Sequence, residues 1–192
     1  MITVDLTHLE TLEEFGPEIR RLHEEDNDEH YCKLHDWMPK WVEEGMVSYK
    51  ELGTNQGGTA SAAVLAGFTD SILIDIRFGQ IEPYWKLFKD YAHRNDLTVR
   101  FREVDSTSMK AVQTDVDVLL IDSLHKGYWL EKELEAHHNS VNHYIAFHDT
   151  STTGQFRDLY PTIMRFLERH PEWVMHEHYD HGAGYTVIKR VV

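Results

Sequence analysis

The chain holds a single cysteine, Cys32, among its 192 residues, so no disulfide can form within it. That excludes a disulfide-stapled scaffold and suits a reducing, cytoplasmic setting. No apolar run approaches the roughly 18 residues needed to span a membrane. The N-terminus MITVDLTHLETLEEF lacks the basic-then-apolar pattern of a signal peptide. Positive charge is also scarce. Nineteen Lys and Arg face 33 Asp and Glu, for a formal net charge of −14, and residues 1–45 contribute −9 of it. Such a field repels a duplex or a phospholipid surface, so neither nucleic acid nor membrane is expected as a partner. No repeat or low-complexity tract stands out. His176, His178 and His181 in MHEHYDH lack a companion cysteine or paired acid at structural-zinc spacing, so a solvated strand face is expected there.

What is present reads as one soluble domain. Hydrophobic residues at 41% and charged residues at 27% are ordinary for a globular protein of this size. Residues 1–45 form an acidic helical segment, LEEFGPEIRRLHEEDNDEH, expected to break at Gly16 and Pro17. The aromatic stretch YCKLHDWMPKW follows. There Tyr31, Trp37 and Trp41 either cover an acceptor site or pack the segment onto the domain.

From residue 46 to 192 the pattern alternates. Strand-like runs occur at VSYKEL, SILIDI, LTVRFREV, VDVLLID and HYIAFHD, each followed by a segment able to form a helix. Ile81, Tyr84, Trp85, Phe88 and Tyr91 fall at helical spacing, as do Leu159, Ile163, Phe166 and Leu167 behind Pro161. Alternation of this kind predicts an α/β fold, a Rossmann-like, mostly parallel sheet with helices on both faces. ILID and VLLID are apolar on both faces, as such a sheet requires. EWVMHEHYD and GYTVIKRVV read as a closing antiparallel hairpin.

The stretch YKELGTNQGG joins the first strand to its helix, at the sheet edge where doubly wound folds bind ligands. The dinucleotide fingerprint places glycines at relative positions 1, 3 and 6, and here those hold Gly53, Asn55 and Gly58. Asn55 fills the space a pyrophosphate would need, and the Glu51 carboxylate would repel one. A ligand with a cationic end, such as S-adenosylmethionine, would welcome Glu51. Asp75 ends the second strand and suits a ribose diol. Asp105 and Ser106 end the third, where an adenine amino group could be read. The fourth strand ends in Asp122 and the fifth in His148 and Asp149. Two carboxylates and an imidazole there could hold a divalent cation. His125 lies three residues past Asp122 and has the chemistry of a base for a hydroxyl.

YKELGTNQGG, LIDI, VDVLLIDSLHKGYWLEKELEAH and YIAFHDT together resemble the class I S-adenosylmethionine-dependent methyltransferases. Within them they are similar to the small-molecule O-methyltransferase branch grouped with cephalosporin-hydroxylase-like proteins. The resemblance covers roughly residues 47–150. It implies a seven-stranded sheet with the last strand antiparallel. It implies a cofactor held by Glu51, Gly53, Thr54, Gly57, Asp75, Ile76, Asp105, Ser106 and Asp122. It also implies a magnesium or manganese ion on Asp122, His148 and Asp149, and beside such an ion Asp122 and His125 are the candidate catalytic residues. The relatives commonly carry an acid or amide where His148 stands, which opens the metal to manganese or iron. The acceptor would be a small hydroxylated molecule, a sugar or a secondary metabolite, and a homo-oligomer is compatible with the chain. Other readings are a nicotinamide-dependent oxidoreductase, a non-catalytic cofactor-binding module and an iron-dependent hydroxylase.

Overall fold

A computed structural model describes residues 4–191 of the chain. Three helices open it: α1 (Leu12–Glu25), α2 (Glu29–His35) and α3 (Trp37–Glu43). The chain continues through β1 (Ser48–Leu52), α4 (Gly58–Ala66), β2 (Asp70–Asp75), α5 (Trp85–Arg94), β3 (Thr98–Glu103), α6 (Met109–Val112) and β4 (Val116–Ile121). It ends with α7 (Gly127–His137), β5 (Val141–His148), α8 (Leu159–Arg169), β6 (Trp173–Tyr179) and β7 (Tyr185–Arg190). The strands form one sheet in the order β3-β2-β1-β4-β5-β7-β6. The first five are parallel, and β7 runs antiparallel to both β5 and β6.

Strand order reverses between β1 and β4, the switch point where such sheets bind ligands outside their carboxyl ends. Register brings the relevant ends together there. Leu52 lies beside Ile74 and Ile121, and Ile121 lies beside Phe147. Asp75, Asp122 and His148 therefore emerge at one edge.

Each face of the sheet buries its own apolar layer. Leu52, Ile74, Ile121 and Phe147 pack with Leu130 of α7 and Ile163 and Phe166 of α8. Tyr49, Leu73 and Val118 pack on the other face with α4, α5 and the N-terminal helices. The expected break at Gly16 and Pro17 does not occur, because α1 runs through both residues. Thr11 caps it with a reciprocal Glu14 bond, and burial of Leu12, Phe15 and Ile19 outweighs the hydrogen bond that Pro17 cannot donate. Leu6, Leu12, Phe15, Ile19, Leu34, Met38 and Trp41 thus share one apolar layer with the sheet. Trp37 and Trp41 stack at 5.6 Å, and Trp41 meets Tyr144 at 5.6 Å, so these two pack the segment down. Tyr31 is different and reaches the sheet edge. His176 is exposed on its strand, with its ring edge against Trp37, whereas His178 is half-buried and bonded to Thr186 Oγ1 at 2.9 Å.

This N-terminal packing has a cost in acid. His35 is fully buried with Nε2 unpartnered, and burial, reinforced by Arg20, pushes its pKa down to about 3. The unfolded chain takes a proton near 6.5 that the folded chain refuses, so stability present above pH 6.5 is lost as pH falls toward 3. At pH 5 this one residue costs about 2 kcal/mol. Urea unfolding at pH 7 and pH 5 should show a clear loss of stability in the wild type. His35→Phe, which cannot protonate, should show a smaller loss. An equal loss in both proteins would refute this assignment.

Candidate functional site

Gly53 follows β1 with φ +88°, and its N–H donates to the Ile74 carbonyl at 2.8 Å. A Cβ at this position would lie 2.1 Å from the Asp122 carbonyl oxygen, so only glycine lets the β1 and β4 ends close on each other. Asn55 also adopts a left-handed conformation, φ +47°, and its N–H donates to Asp75 Oδ2 at 2.9 Å. Asp75 Oδ1 accepts the Arg77 N–H at 3.2 Å. Asn55 thus serves the turn as a glycine would, while fixing the acid at the end of β2. Asp105 is held by the Thr107 N–H at 2.7 Å and the Thr107 hydroxyl at 2.6 Å.

These groups border a cavity of about 550 Å³. Among the residues singled out in the sequence, Gly53, Asp75, Ile76, Asp105, Ser106, Asp122 and His125 line it. Its apolar walls include Ile76, Val104, Leu124 and Trp129, of which the last three were not singled out. The signal for Trp129 was present in HKGYWLEKEL, where a helix start directly follows the IDSLH strand end. Buried Glu133 fixes that wall by accepting the Ser106 and Ser123 hydroxyls at 2.5 and 2.6 Å and the Trp129 indole N–H at 3.2 Å.

Glu51 lies elsewhere. Its side chain is fully buried beneath the turn and is absent from the cavity wall. Oε2 accepts the Tyr49 hydroxyl at 2.5 Å and Oε1 the Thr59 hydroxyl at 2.8 Å. Burial pushes its pKa up to about 8, so at neutral pH it is mostly uncharged. The sequence argument that this carboxylate meets a cationic ligand at the mouth of the turn therefore does not hold. Strand alternation is the reason, since residue 51 faces the same layer as Tyr49.

Thr54 and Gly57 line a separate crevice of only about 20 Å³, closed by Ile19, His23 and Tyr31. The Thr59 N–H at the start of α4 bonds the Tyr31 hydroxyl, and a Cβ on Gly58 would fall 1.8 Å from that oxygen. Tyr31 thus occupies the helix terminus that a pyrophosphate would use.

At the far end of the cavity four groups converge. His125 Nε2 lies 3.0 Å from Asp122 Oδ1 and 2.9 Å from Asp149 Oδ2. His148 Nδ1 lies 3.2 Å from Asp122 Oδ1 and 3.5 Å from Asp149 Oδ1. Asp149 is buried with φ +58°, a strained conformation for a non-glycine residue of the kind that clusters at functional sites. Burial disfavours charge on His125, but its bonds to Asp122 and Asp149 outweigh that and raise its pKa to about 10. Burial would likewise raise Asp122, yet His148 and His125 hold it at about 2. His125 is therefore an imidazolium bridging two carboxylates at neutral pH. The free base expected from its unperturbed pKa is not available.

Magnesium favours an open cage of oxygens, and this arrangement does not offer one. The His125 ring nitrogen fills the gap between Asp122 and Asp149, and His148 turns its Nδ1 into the same hydrogen-bond network. Beyond Asp149 lies a second recess of about 220 Å³, lined by Ser151, Thr153, Gln155 and Phe156 among others.

No family model matches the chain, and no curated protein matches it in sequence. Solved structures do match in shape. A methyltransferase from Clostridium acetobutylicum that depends on S-adenosylmethionine aligns with a TM-score of 0.62 at 12% identity, over 91% of this chain and 98% of that one. The magnesium protoporphyrin IX methyltransferase of Synechocystis with bound SAH gives 0.65 at 10% identity, over 84% and 83%. A Staphylococcus aureus protein assigned as a caffeoyl-CoA O-methyltransferase gives 0.65 at 11%, over 82% of each chain. The seven-stranded sheet with its antiparallel closing strand is the fold that these methyltransferases share.

Proposed function

We propose that the protein is a methyltransferase that moves the methyl group of S-adenosylmethionine onto a hydroxyl of a small polar acceptor, such as a sugar or a secondary metabolite. The observation that carries this reading is the 550 Å³ cavity at the switch point, with acids at three strand ends and apolar walls between them. Its volume suits a nucleoside-sized ligand. Asp75 keeps lone pairs free for a ribose diol after accepting two backbone N–H groups. Ile76, Leu124 and Trp129 offer flat apolar contact to a purine, and Asp105 sits where an exocyclic amine would need an acceptor. A sulfonium is favoured beside Asp122. A dinucleotide is disfavoured because Tyr31 blocks the N-terminus of α4.

The methyl donor supplies an electrophilic carbon. This chain supplies position and proton handling. The recess past Asp149 accepts the second substrate, so its hydroxyl sits between Asp149 and the cavity. The hydroxyl proton passes to the Asp149 carboxylate as the new C–O bond forms, while the C–S electron pair returns to sulfur. His125 is a positioning residue that holds the two carboxylates in place. This proton transfer uses no metal, and magnesium on Asp122, His148 and Asp149 is not part of the reading.

The test is label transfer from methyl-labelled S-adenosylmethionine to a panel of sugars and phenols. Asp149→Asn should lower turnover by about 10²–10⁴-fold while leaving donor affinity within about threefold. A wild-type protein that binds no donor, or an Asp149→Asn variant with full turnover, overturns the reading.

A further inference from the structure

His30 was not singled out in the sequence, and it lies on α2, far along the chain from the sheet-edge acids. The fold nevertheless brings it to them. His30, His148 and Asp149 are all buried, and they can offer one donor atom each within 4.8 Å of one another. Two of their nitrogens need a partner. His30 Nδ1 and His148 Nε2 are both shut off from solvent, and neither has a hydrogen-bond partner. A buried polar atom left unpaired is costly, so two of them on rings whose centroids lie 5.0 Å apart need an explanation. His148 is also oriented for such a role. Its Nδ1 lies 3.2 Å from Asp122 Oδ1, and Nε2 on the other side of the ring is left without a partner. That is the second-shell arrangement found behind metal-bound imidazoles.

We propose that His30 Nδ1, His148 Nε2 and an Asp149 carboxylate oxygen form a site for a first-row transition-metal dication such as zinc. Two imidazoles and one carboxylate match borderline metals, whereas magnesium prefers oxygen alone. The site differs from the Asp122–His148–Asp149 set implied by resemblance, because His30 of the N-terminal segment takes the place of Asp122. The His30 and His148 rings stack at 5.0 Å with planes 17° apart. Metal capture therefore turns the His30 ring about its Cβ–Cγ bond, a torsion with broad preferences. Occupation would tie α2 to the end of β5, beside both the cavity and the recess. Three protein ligands leave positions open for water or for an acceptor oxygen.

The site can be tested without the methyl donor, so its failure and the failure of methyl transfer are separable. Metal-stripped wild-type protein is titrated with zinc and with magnesium by calorimetry, and with cobalt by visible absorption. One zinc per chain should bind, with magnesium much weaker, and cobalt should give ligand-field bands. His30→Ala should weaken zinc by at least about 100-fold, while exposed His181→Ala leaves it unchanged. Limited proteolysis of the wild type gives a readout that does not depend on a variant folding, since zinc should slow cleavage around α2. No zinc binding by the wild type, zinc affinity unchanged in His30→Ala, or cleavage around α2 unaffected by zinc overturns the proposal.

Discussion

Gly53→Ala should be among the most damaging single substitutions in the chain. Its φ of +88° costs an L-residue about 1–2 kcal/mol. The added methyl would also meet the Asp122 carbonyl at 2.1 Å and the Ser123 Cα at 2.8 Å, all rigid backbone at a strand end. Relief requires β1 and β4 to separate, which breaks the 2.8 Å bond from the Asp122 N–H to the Leu52 carbonyl. The expected loss is at least about 3 kcal/mol, the sum of strain and a broken buried hydrogen bond. With a urea m-value of about 2 kcal/mol/M, the unfolding midpoint should fall by about 1.5 M. The surviving folded protein should also lose donor binding, because the cavity floor is made of these same atoms. A variant within about 0.5 kcal/mol of the wild type would show that the two strand ends are not held this tightly.

The second large effect concerns Asp75. If its carboxylate accepts both ribose hydroxyls, Asp75→Ala removes two charge-assisted bonds worth about 1.5–3 kcal/mol each. Calorimetry should then show affinity for S-adenosylmethionine reduced by about 10²–10⁴-fold. Asp75→Asn separates binding from turn stability. It keeps an acceptor for the Asn55 or Arg77 N–H and should remain folded, yet it should still bind weakly because one ribose bond is lost. Equal affinity in the wild type and the alanine variant would place the nucleoside away from β2.

Much of this fold could be read along the chain. ILID and VLLID are apolar on both faces because the sheet is covered on both sides, and the five parallel strands fall where those runs lie. The strand-end acids were legible for the same reason, since a residue directly after a parallel strand must reach the carboxyl edge. Glu51 shows where this reasoning stops. It sits one residue before a strand end, where alternation turns it into the buried layer of Tyr49, and the Thr59 hydroxyl that completes its surroundings arrives only through the fold. His125 was placed correctly beside Asp122, but its protonation was not legible, because the second carboxylate comes from a different strand. His30 and Tyr31 could not be found from local pattern at all. Their roles come from α2 docking on the sheet edge, a long-range contact with no periodic signature. Gly16 and Pro17 suggested a break, and core burial of the helix around them overrode that local preference.

The central claim is that the cavity between β1, β2 and β4 holds an adenosyl group on Asp75 and Asp105. A crystal structure of the wild type soaked with S-adenosylhomocysteine tests it most directly. The account predicts density in this cavity, with the ribose hydroxyls bonded to Asp75, the purine against Ile76 and Trp129, and the sulfur end toward Asp122. Clear density for the nucleoside anywhere else, or an empty cavity at saturating ligand, would contradict it.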